Sequence, residues 1–423
     1  VYGSIYKDQS IVAFDRVRYA GDPVAAGAAE TEDGAEEALA LIDVENEDLP
    51  AVTNIEEALA PGATLVHEAA SASSELRGTS YDVPQKFKGT NICYHFGYSR
   101  GDVDEGFQKA AHVFEDTFRF QKVQHYSLEP HVNISHFTGD KLSVWSASQD
   151  PFTLRENLAG IFGLPLSRVR VVVPYVGGGY GGKLYVKAEP IAAALSWMTR
   201  RPVKLQLSIN ESFKTVTRHP ARVTVKTGVS KEGKLIAREC QVYMDTGAYA
   251  DAGPRVTQKA AYRALGPYRI PYAKVEAYGV YTNTVPAGAF RGFGAPQVTF
   301  AYEMQMEKIA AELGIDPLEL RRINMLREGD ITATGQRLNW SVGSEDVLSA
   351  TVERSGYVEK RRTIQQNNDG SKRRAVGVSF FFHAAGFTGS GEGKMKAQAG
   401  VEITPEGRAR ILTGSTEIGQ GTQ

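Results

Sequence analysis

Apolar residues along this chain follow helical spacing in some segments and strand spacing in others. Apolar positions in 154–162 recur three or four residues apart, which predicts one apolar helix face. Residues 142–146 alternate as a strand does, and 168–173 form a β-branched run typical of a buried strand. A longer helix is expected over about 296–313, with Gly314 at its C-cap. The pattern predicts an α+β fold.

The N-terminal part divides into two regions. Residues 1–60 are expected to be an α/β unit, with a helix over 33–41 and a strand at 43–45. Residues 61–95 are rich in small and polar residues with weak periodicity, which indicates a connecting segment.

The C-terminal part divides again into two. Residues 96–330 hold most of the predicted helices and strands and are expected to form the main domain. Residues 331–423 begin as a linker and continue as a second, β-rich unit that starts at 375–382. Its predicted hairpin has strands at 401–403 and 409–412.

Composition narrows the class of protein. The 423 residues carry a net charge of -1, which gives no electrostatic reason to expect nucleic acid or an anionic membrane as partner. The two cysteines, Cys93 and Cys240, are too few for a four-thiolate iron–sulfur cluster or a disulfide framework, and a reducing, cytoplasmic setting is expected. The chain begins at Val1 and stops just after a glycine-rich stretch, so we expect both ends to be truncated.

The strongest local motif is the glycine-rich segment 174–183, which follows a predicted strand. Five of the six residues 177–182 are glycine, so backbone N–H groups can approach a ligand closely. A dinucleotide-binding fingerprint would fit the glycine spacing, but it requires an acidic residue at a strand end about 20 positions further along the chain. A P-loop would need a hydroxyl where Leu184 stands. A plain structural turn is the third alternative.

Two further segments favour a large bound cofactor. Residues 287–297 place Arg291 among glycines just before a helix, where an anion would be well held. Residues 417–421 place the amide side chain of Gln420 between glycines, and an amide suits the edge of a fused ring. Three such loops, far apart in sequence, would bind one large cofactor from several sides.

These three loops resemble the molybdopterin-binding loops of xanthine dehydrogenases, aldehyde oxidases and their relatives. The carrying motifs are 177–183, 289–294 and 417–421, together with Gln149 in its Ser-Gln-Asp-Pro context. Residues 15–50 resemble the end of that family's α/β hammerhead domain. The resemblance implies an incomplete hammerhead domain, then a first molybdopterin-binding domain over 96–330 and the beginning of a second over 331–423.

The resemblance also assigns roles to individual residues. Gln149 would lie beside an oxo ligand of molybdenum. Residues expected to contact the cofactor are Gly178, Gly179, Tyr180, Gly181, Phe290, Arg291, Gly419 and Gln420. Phe293 and Phe380 would stack on an aromatic substrate, with core packing as the alternative for each ring. No protein ligand to the metal is expected, because the dithiolene of the pterin holds molybdenum, in the mononucleotide or dinucleotide form of the cofactor.

The implied activity is hydroxylation of an N-heterocycle or an aldehyde, with water as the oxygen source. Electrons would pass to [2Fe–2S] clusters and FAD on partner subunits or further domains, within a heteromeric and higher oligomeric complex. The base glutamate of the family would lie C-terminal to this chain. Leu184 replaces a glutamate of animal xanthine dehydrogenases, and the absence of cysteine from 290–293 argues against carbon monoxide as substrate.

Two other classes remain open at this stage. The glycines of 177–182 alone allow an NAD-binding dehydrogenase, and the ending at Gln423 allows a non-catalytic subunit of a split molybdoenzyme. His125, His131 and His136 do not match a zinc motif and are interpreted as ordinary core or surface residues.

Overall fold

A computed structural model describes residues 1–68, 75–76, 79–366, 373–383 and 398–422. The helices are α1 Glu32–Ala40, α2 Ile55–Ala58, α3 Val103–Gln108, α4 Pro151–Phe162, α5 Glu189–Thr199, α6 Ile209–Ser212, α7 Gly253–Arg263, α8 Ala295–Leu313, α9 Pro317–Asn324, α10 Ser344–Ser355 and α11 Tyr357–Gln366. The strands are β1 Glu75–Leu76, β2 Thr79–Ser80, β3 Ile92–Arg100, β4 His112–Phe120, β5 Val132–Thr138, β6 Lys141–Ser146, β7 Val169–Val172, β8 Val203–Gln206, β9 Ala221–Val229, β10 Leu235–Gly247, β11 Tyr272–Tyr281, β12 Ala399–Ile403 and β13 Ala409–Thr413. The predicted α+β class is confirmed.

The larger sheet has five strands in the order β3-β11-β10-β9-β4. Its central strands β10 and β11 run parallel, with α7 between them in the chain, and the other neighbours are antiparallel. Cys240 of β10 pairs with Val225 on one side and Val275 on the other, and all three are fully buried. The core between this sheet and α8 includes Met306 and Tyr268.

The smaller sheet has the order β7-β6-β5-β8 and positions the first glycine loop. Strands β6 and β7 are parallel neighbours connected through α4. The Asp150 carboxylate caps α4 by accepting from Thr153 N at 3.0 Å, and Gly163 ends the helix at φ +64°. Because Leu154 and Leu158 of α4 pack with Leu142 of β6, this β-α-β unit fixes where the chain leaves β7 and enters the glycine loop.

Several predicted elements match the structure closely. The helices expected at 33–41, 154–162 and 296–313 are present as α1, α4 and α8, and Gly314 is the left-handed C-cap of α8. The hairpin expected around Pro405 is present as β12 and β13.

Other expectations were wrong. Residues 43–45 form no strand, because no strand lies beside them among the described residues to complete a ladder. Residues 375–382 also form no strand, and β3 begins at Ile92, inside the segment expected to be a connector. The helices α10 and α11 were not predicted, since their apolar residues are sparse and only Leu348 of α10 is buried.

Both cysteines are buried and free. Among the described residues, no helix combines the length and the apolar character that a membrane crossing requires.

Candidate functional site

The side chain of Gln149 is held inside the first glycine loop. The side-chain Oε1 accepts from the backbone N–H groups of Gly181 at 2.9 Å and Lys183 at 3.2 Å, and the backbone N–H of Gln149 donates to Lys183 O at 2.8 Å. A Cβ on Gly179 would lie 2.4 Å from Oε1, so only glycine leaves room for the carboxamide. The Nε2 group of Gln149 donates to no acceptor among the described residues, which leaves it available to a ligand.

The second loop, 287–294, lies directly against the first. Arg291 N donates to Tyr180 O at 2.8 Å, and a Cβ on Gly181 would meet Ala289 O at 2.6 Å. Gly181 has φ +105°, a conformation that other residues rarely adopt. Close approach and backbone conformation therefore both require glycine at 181, and the two loops form one surface.

Each of these two loops contains one non-glycine residue with a strained backbone. Among the described residues, five non-glycine residues have positive φ: Tyr126, Tyr180, Arg200, Asp251 and Phe293. Arg200 is the C-cap of α5, where a left-handed residue is common. Tyr180 and Phe293 lie within the two glycine loops, at φ 54° and 47°. Such strain costs about 1–3 kcal/mol per residue and persists mainly at functional sites.

Several hydrogen-bond donors at this surface have no partner among the described residues. The backbone N–H groups of Gly179, Tyr180 and Gly292 donate to no described residue, although Gly179 is buried. The guanidinium of Arg291 is exposed and forms no hydrogen bond or ion pair with the described part of the chain. A buried N–H is normally paired, so these groups point to a polar or anionic ligand.

The third loop, 417–421 with residues 416 and 422 on either side, is joined to the first by one backbone hydrogen bond in the described part of the chain, in which Val176 N donates to Glu417 O at 3.3 Å. Gly419 has φ +100°. Both amide atoms of Gln420 are bonded within the loop, with Oε1 accepting from Ile418 N and Nε2 donating to Thr416 O, each at 2.7 Å. Gln420 thus lies near the cofactor surface, with one of its two Nε2 N–H groups and one of the two acceptor positions of Oε1 used within the loop.

The three phenylalanines occupy different surroundings. Phe290 stacks on His125 with ring centroids 4.3 Å apart, and the Arg218 guanidinium lies 3.7 Å from its ring centroid. Phe293 lies half-buried beside Leu184 and Tyr185 in a small apolar cluster.

Phe380 lies in the main core and does not face Phe293. Its N–H donates to the Glu303 carboxylate at 2.7 Å, and its ring packs against Tyr268 in the main core. Glu303 lies eight residues into α8 from Ala295, roughly 12 Å along the helix axis, whereas Phe293 precedes that helix. This placement is core packing, so the substrate role expected for Phe380 is not supported.

Two histidines treated as ordinary residues prove to hold the loops in place. His125 Nε2 bonds to Ala289 O at 2.7 Å, and His131 Nε2 bonds to Gly182 O at 3.2 Å. Burial lowers the pKa of each to about 4, so both imidazoles are neutral at pH 7. Their spacing in sequence gave no signal, because each contacts a loop far along the chain.

An ion pair also anchors the first loop. Lys183 Nζ lies 2.7 Å from Glu129 Oε2, which accepts in addition from Gly177 N at 2.9 Å. The Lys183 side chain is 2% exposed, and burial lowers its pKa even with this partner. Lys183 therefore holds the loop in place through its buried ion pair with Glu129 and is not available to bind a phosphate group.

The geometry rules against two interpretations of the first loop. The next helix, α5, begins only at Glu189, whereas a dinucleotide fingerprint opens directly into its helix. A P-loop lysine would reach phosphates, whereas Lys183 is buried against Glu129. Among the described residues, no group of three or more His, Cys, Asp or Glu side chains could hold a metal ion.

Comparisons with known proteins agree with this surface. The molybdopterin cofactor-binding domain family matches residues 85–325, and a second domain of the same description matches residues 350–423. The chain is 36% identical to the nicotinate dehydrogenase large molybdopterin subunit of Eubacterium barkeri, over 85% of this chain and 81% of that protein. It is also 36% identical to a Bacillus subtilis protein named as a probable xanthine dehydrogenase subunit, over 99% of this chain and 53% of that protein. It therefore spans about half the length of that relative.

The fold is similar to that of the aldehyde oxidoreductase from Desulfovibrio gigas, with a TM-score of 0.86 and 28% identity over 98% of this chain and 43% of that one. Sequence matches, fold and loop geometry lead to one assignment: the chain belongs to the molybdopterin-binding family that includes xanthine dehydrogenases and aldehyde oxidoreductases.

Proposed function

We propose that this chain is the molybdenum-cofactor-binding part of a molybdenum hydroxylase. The observation that carries the proposal is the joined surface of the first and second loops. There the Nε2 of Gln149 and the N–H groups of Gly179 and Tyr180 have no partner among the described residues, and the exposed Arg291 adjoins them. A ligand with many acceptors and a phosphate would satisfy all of these donors.

Different residues would contact different parts of this cofactor. The backbone of 178–181 would contact the pterin and the metal's ligands, and Gln149 Nε2 would donate a hydrogen bond at the metal end. Arg291 would bind the phosphate, with Phe290 fixing the loop. Gly419 and Gln420 would approach from the third loop. When bound, molybdenum supplies the two-electron oxidising centre for substrate hydroxylation with oxygen from water.

Three glutamates of this chain are not candidates for the carboxylate base that such a reaction requires. Glu129 is engaged with Lys183, and Glu189 is buried and accepts from Ser146 Oγ at 2.8 Å. Glu417 accepts from backbone N–H groups of its own loop. All three carboxylates are therefore occupied in holding structure.

The substrate would be an N-heterocycle or an aldehyde, and the electrons would leave through [2Fe–2S] clusters and FAD. We place those groups on partner subunits or further domains of a cytoplasmic, heteromeric complex, because both cysteines of this chain are buried inside its core. The sequence similarity to a protein named as a large molybdopterin subunit supports such an assembly.

The proposal is tested by oxidising a panel of N-heterocycles and aldehydes with the native complex in ¹⁸O-labelled water. One labelled oxygen in the product is expected, together with reduction of an artificial electron acceptor. Gln149→Ala should lower kcat while the complex remains assembled. Oxidation that takes its oxygen from O₂, or that needs NAD at this chain, would refute the proposal.

A further inference from the structure

A buried ion pair lies behind the first and second glycine loops. Lys187 Nζ donates to Asp251 Oδ2, and the two side chains are only 7% and 6% exposed. Lys187 follows the first loop by four residues, whereas Asp251 lies in the turn between β10 and α7. The other carboxylate oxygen, Asp251 Oδ1, is buried and accepts no hydrogen bond from the described part of the chain. A buried carboxylate needs a partner that offsets its lost hydration, so Asp251 depends on Lys187.

The Asp251 carboxylate lies against the second loop. A Cβ on Gly288 would lie 3.2 Å from Asp251 Oδ2 and 2.6 Å from Val216 Cγ2, so the loop backbone passes close to the ion pair. Asp251 is also one of the non-glycine residues with positive φ, at +40°, and its backbone O accepts from Ser4 Oγ. Such a conformation persists only where the surrounding structure holds it, and it is most frequent at functional positions.

Lys187 also lies close to the two histidines that hold the loops. His125 bonds to Ala289 O of the second loop, and His131 bonds to Gly182 O of the first. Burial is the main cause of the pKa of about 4 in each histidine, and the positive charge of Lys187 lowers both values further. One ammonium group therefore lies within electrostatic reach of the side chains that hold both loops.

Each member of the pair is carried by a different sheet. Lys187 N donates to Glu189 Oε2 at 2.8 Å, and Glu189 Oε1 accepts at 2.8 Å from the hydroxyl of Ser146, which ends β6 of the smaller sheet. Asp251 follows β10 of the larger sheet, and the second loop follows β11 of that same sheet. Because the first loop follows β7 of the smaller sheet, the ion pair joins the two sheets behind the surface that the loops form.

We propose that Lys187 and Asp251 are positioning residues, whose ion pair sets the spacing between the two loops so that the donors of both face a single ligand. The inference rests on the proposed function in taking that ligand to be the cofactor, whereas the spacing of the loops is a property of the chain itself. A buried ion pair can often be replaced by neutral side chains without loss of stability. Neutral replacements should therefore restore stability without restoring the spacing of the loops.

The test compares Asp251→Asn with the double variant Asp251→Asn and Lys187→Met in the native complex. Asparagine tolerates a positive φ, so Asp251→Asn removes the charge and leaves the Lys187 ammonium unpaired, which should lower Tm. Adding Lys187→Met should recover most of Tm. In both variants, hydrogen exchange of peptides covering 177–186 and 287–294, measured by mass spectrometry, should be about tenfold or more faster. Release of molybdenum and pterin, measured at a fixed interval below each Tm, should be faster by a similar factor.

Glu303→Gln is the matched control, because Glu303 of α8 forms a buried ion pair with Arg321 of α9, in the main core and away from both loops. It should lower Tm and leave loop exchange and cofactor release unchanged. Loop protection that recovers together with Tm in the double variant would overturn the inference, and so would unchanged loop exchange or unchanged cofactor release in Asp251→Asn. Faster loop exchange in a complex that holds no molybdenum even when unmodified would support the spacing role and count against the proposed function.

Discussion

Gly181 offers the most informative single substitution, because its backbone joins the two loops that would hold the cofactor. In Gly181→Ala, the added Cβ would lie 2.6 Å from Ala289 O and 2.7 Å from Ala289 C, both backbone atoms that cannot rotate away. Alanine would also be forced to φ +105° or would move the loop. Either response separates Tyr180 O from Arg291 N, which are now 2.8 Å apart.

The expected cost follows from these two effects. Residues in a sparsely populated backbone region cost about 1–3 kcal/mol and a hydrogen bond contributes about 0.5–1.5 kcal/mol, so the total is about 1.5–4.5 kcal/mol. For a domain of a few hundred residues, each kcal/mol lowers Tm by about 2–4 °C, which predicts a fall of roughly 3–18 °C. Since the two loops would no longer present one surface, we also expect molybdenum to be largely lost.

Gly163→Ala is the matched control for this substitution. Gly163 also has positive φ, +64°, but no heavy atom lies within 4 Å of its added Cβ. It should lose about 1 kcal/mol from backbone strain alone and keep its molybdenum. The assay is scanning fluorimetry with elemental analysis on the same samples. Equal molybdenum loss in both variants, or an unchanged Tm and metal content in Gly181→Ala, would refute the reasoning.

Three further predictions use other parts of the site. Glu129→Gln should lower stability by about 1.5–3 kcal/mol, because it leaves the buried Lys183 ammonium without its anion. Adding Lys183→Met should recover most of this loss, and thermal melts that show no recovery would contradict the pairing. Phe293→Leu should raise KM for aromatic substrates by roughly 2–10-fold with little change in Tm. Phe380→Leu should lower stability by about 1–3 kcal/mol and leave KM unchanged. Steady-state kinetics and thermal melts that show a KM effect for Phe380→Leu and a stability effect for Phe293→Leu would contradict this assignment. The pKa of His125 is about 4 in the folded protein and about 6.5 in the unfolded chain, so the unfolded chain binds more protons and stability falls as pH drops from about 6.5 to 4. His125→Gln should therefore reduce the dependence of Tm on pH between 5 and 7. A dependence equal to that of the unmodified protein would contradict this prediction.

Local sequence signals predicted the elements that surround the site. The apolar face of α4, the β-branched run of β7 and the Gly314 cap of α8 are set by near neighbours in the chain, and all three matched the structure. The glycine loops were also visible, because glycine density reports a backbone requirement directly.

Long-range contacts were beyond the reach of sequence reasoning. The bonds from His125 to Ala289 and from Arg255 to Tyr185 join residues 164 and 70 positions apart, so no local pattern encodes them. The sequence left core packing of Phe380 open as the alternative to a substrate role for the same reason, since its core position depends on Glu303, 77 residues earlier. The strand expected at 43–45 failed because strands depend on neighbours that a single segment does not contain.

The most direct test of the central claim is the molybdenum and pterin content of the natively purified complex that contains this chain, measured per chain in one sample. The account predicts about one molybdenum and one pterin for each chain. Absence of both from an intact complex would contradict it and would favour a non-catalytic subunit.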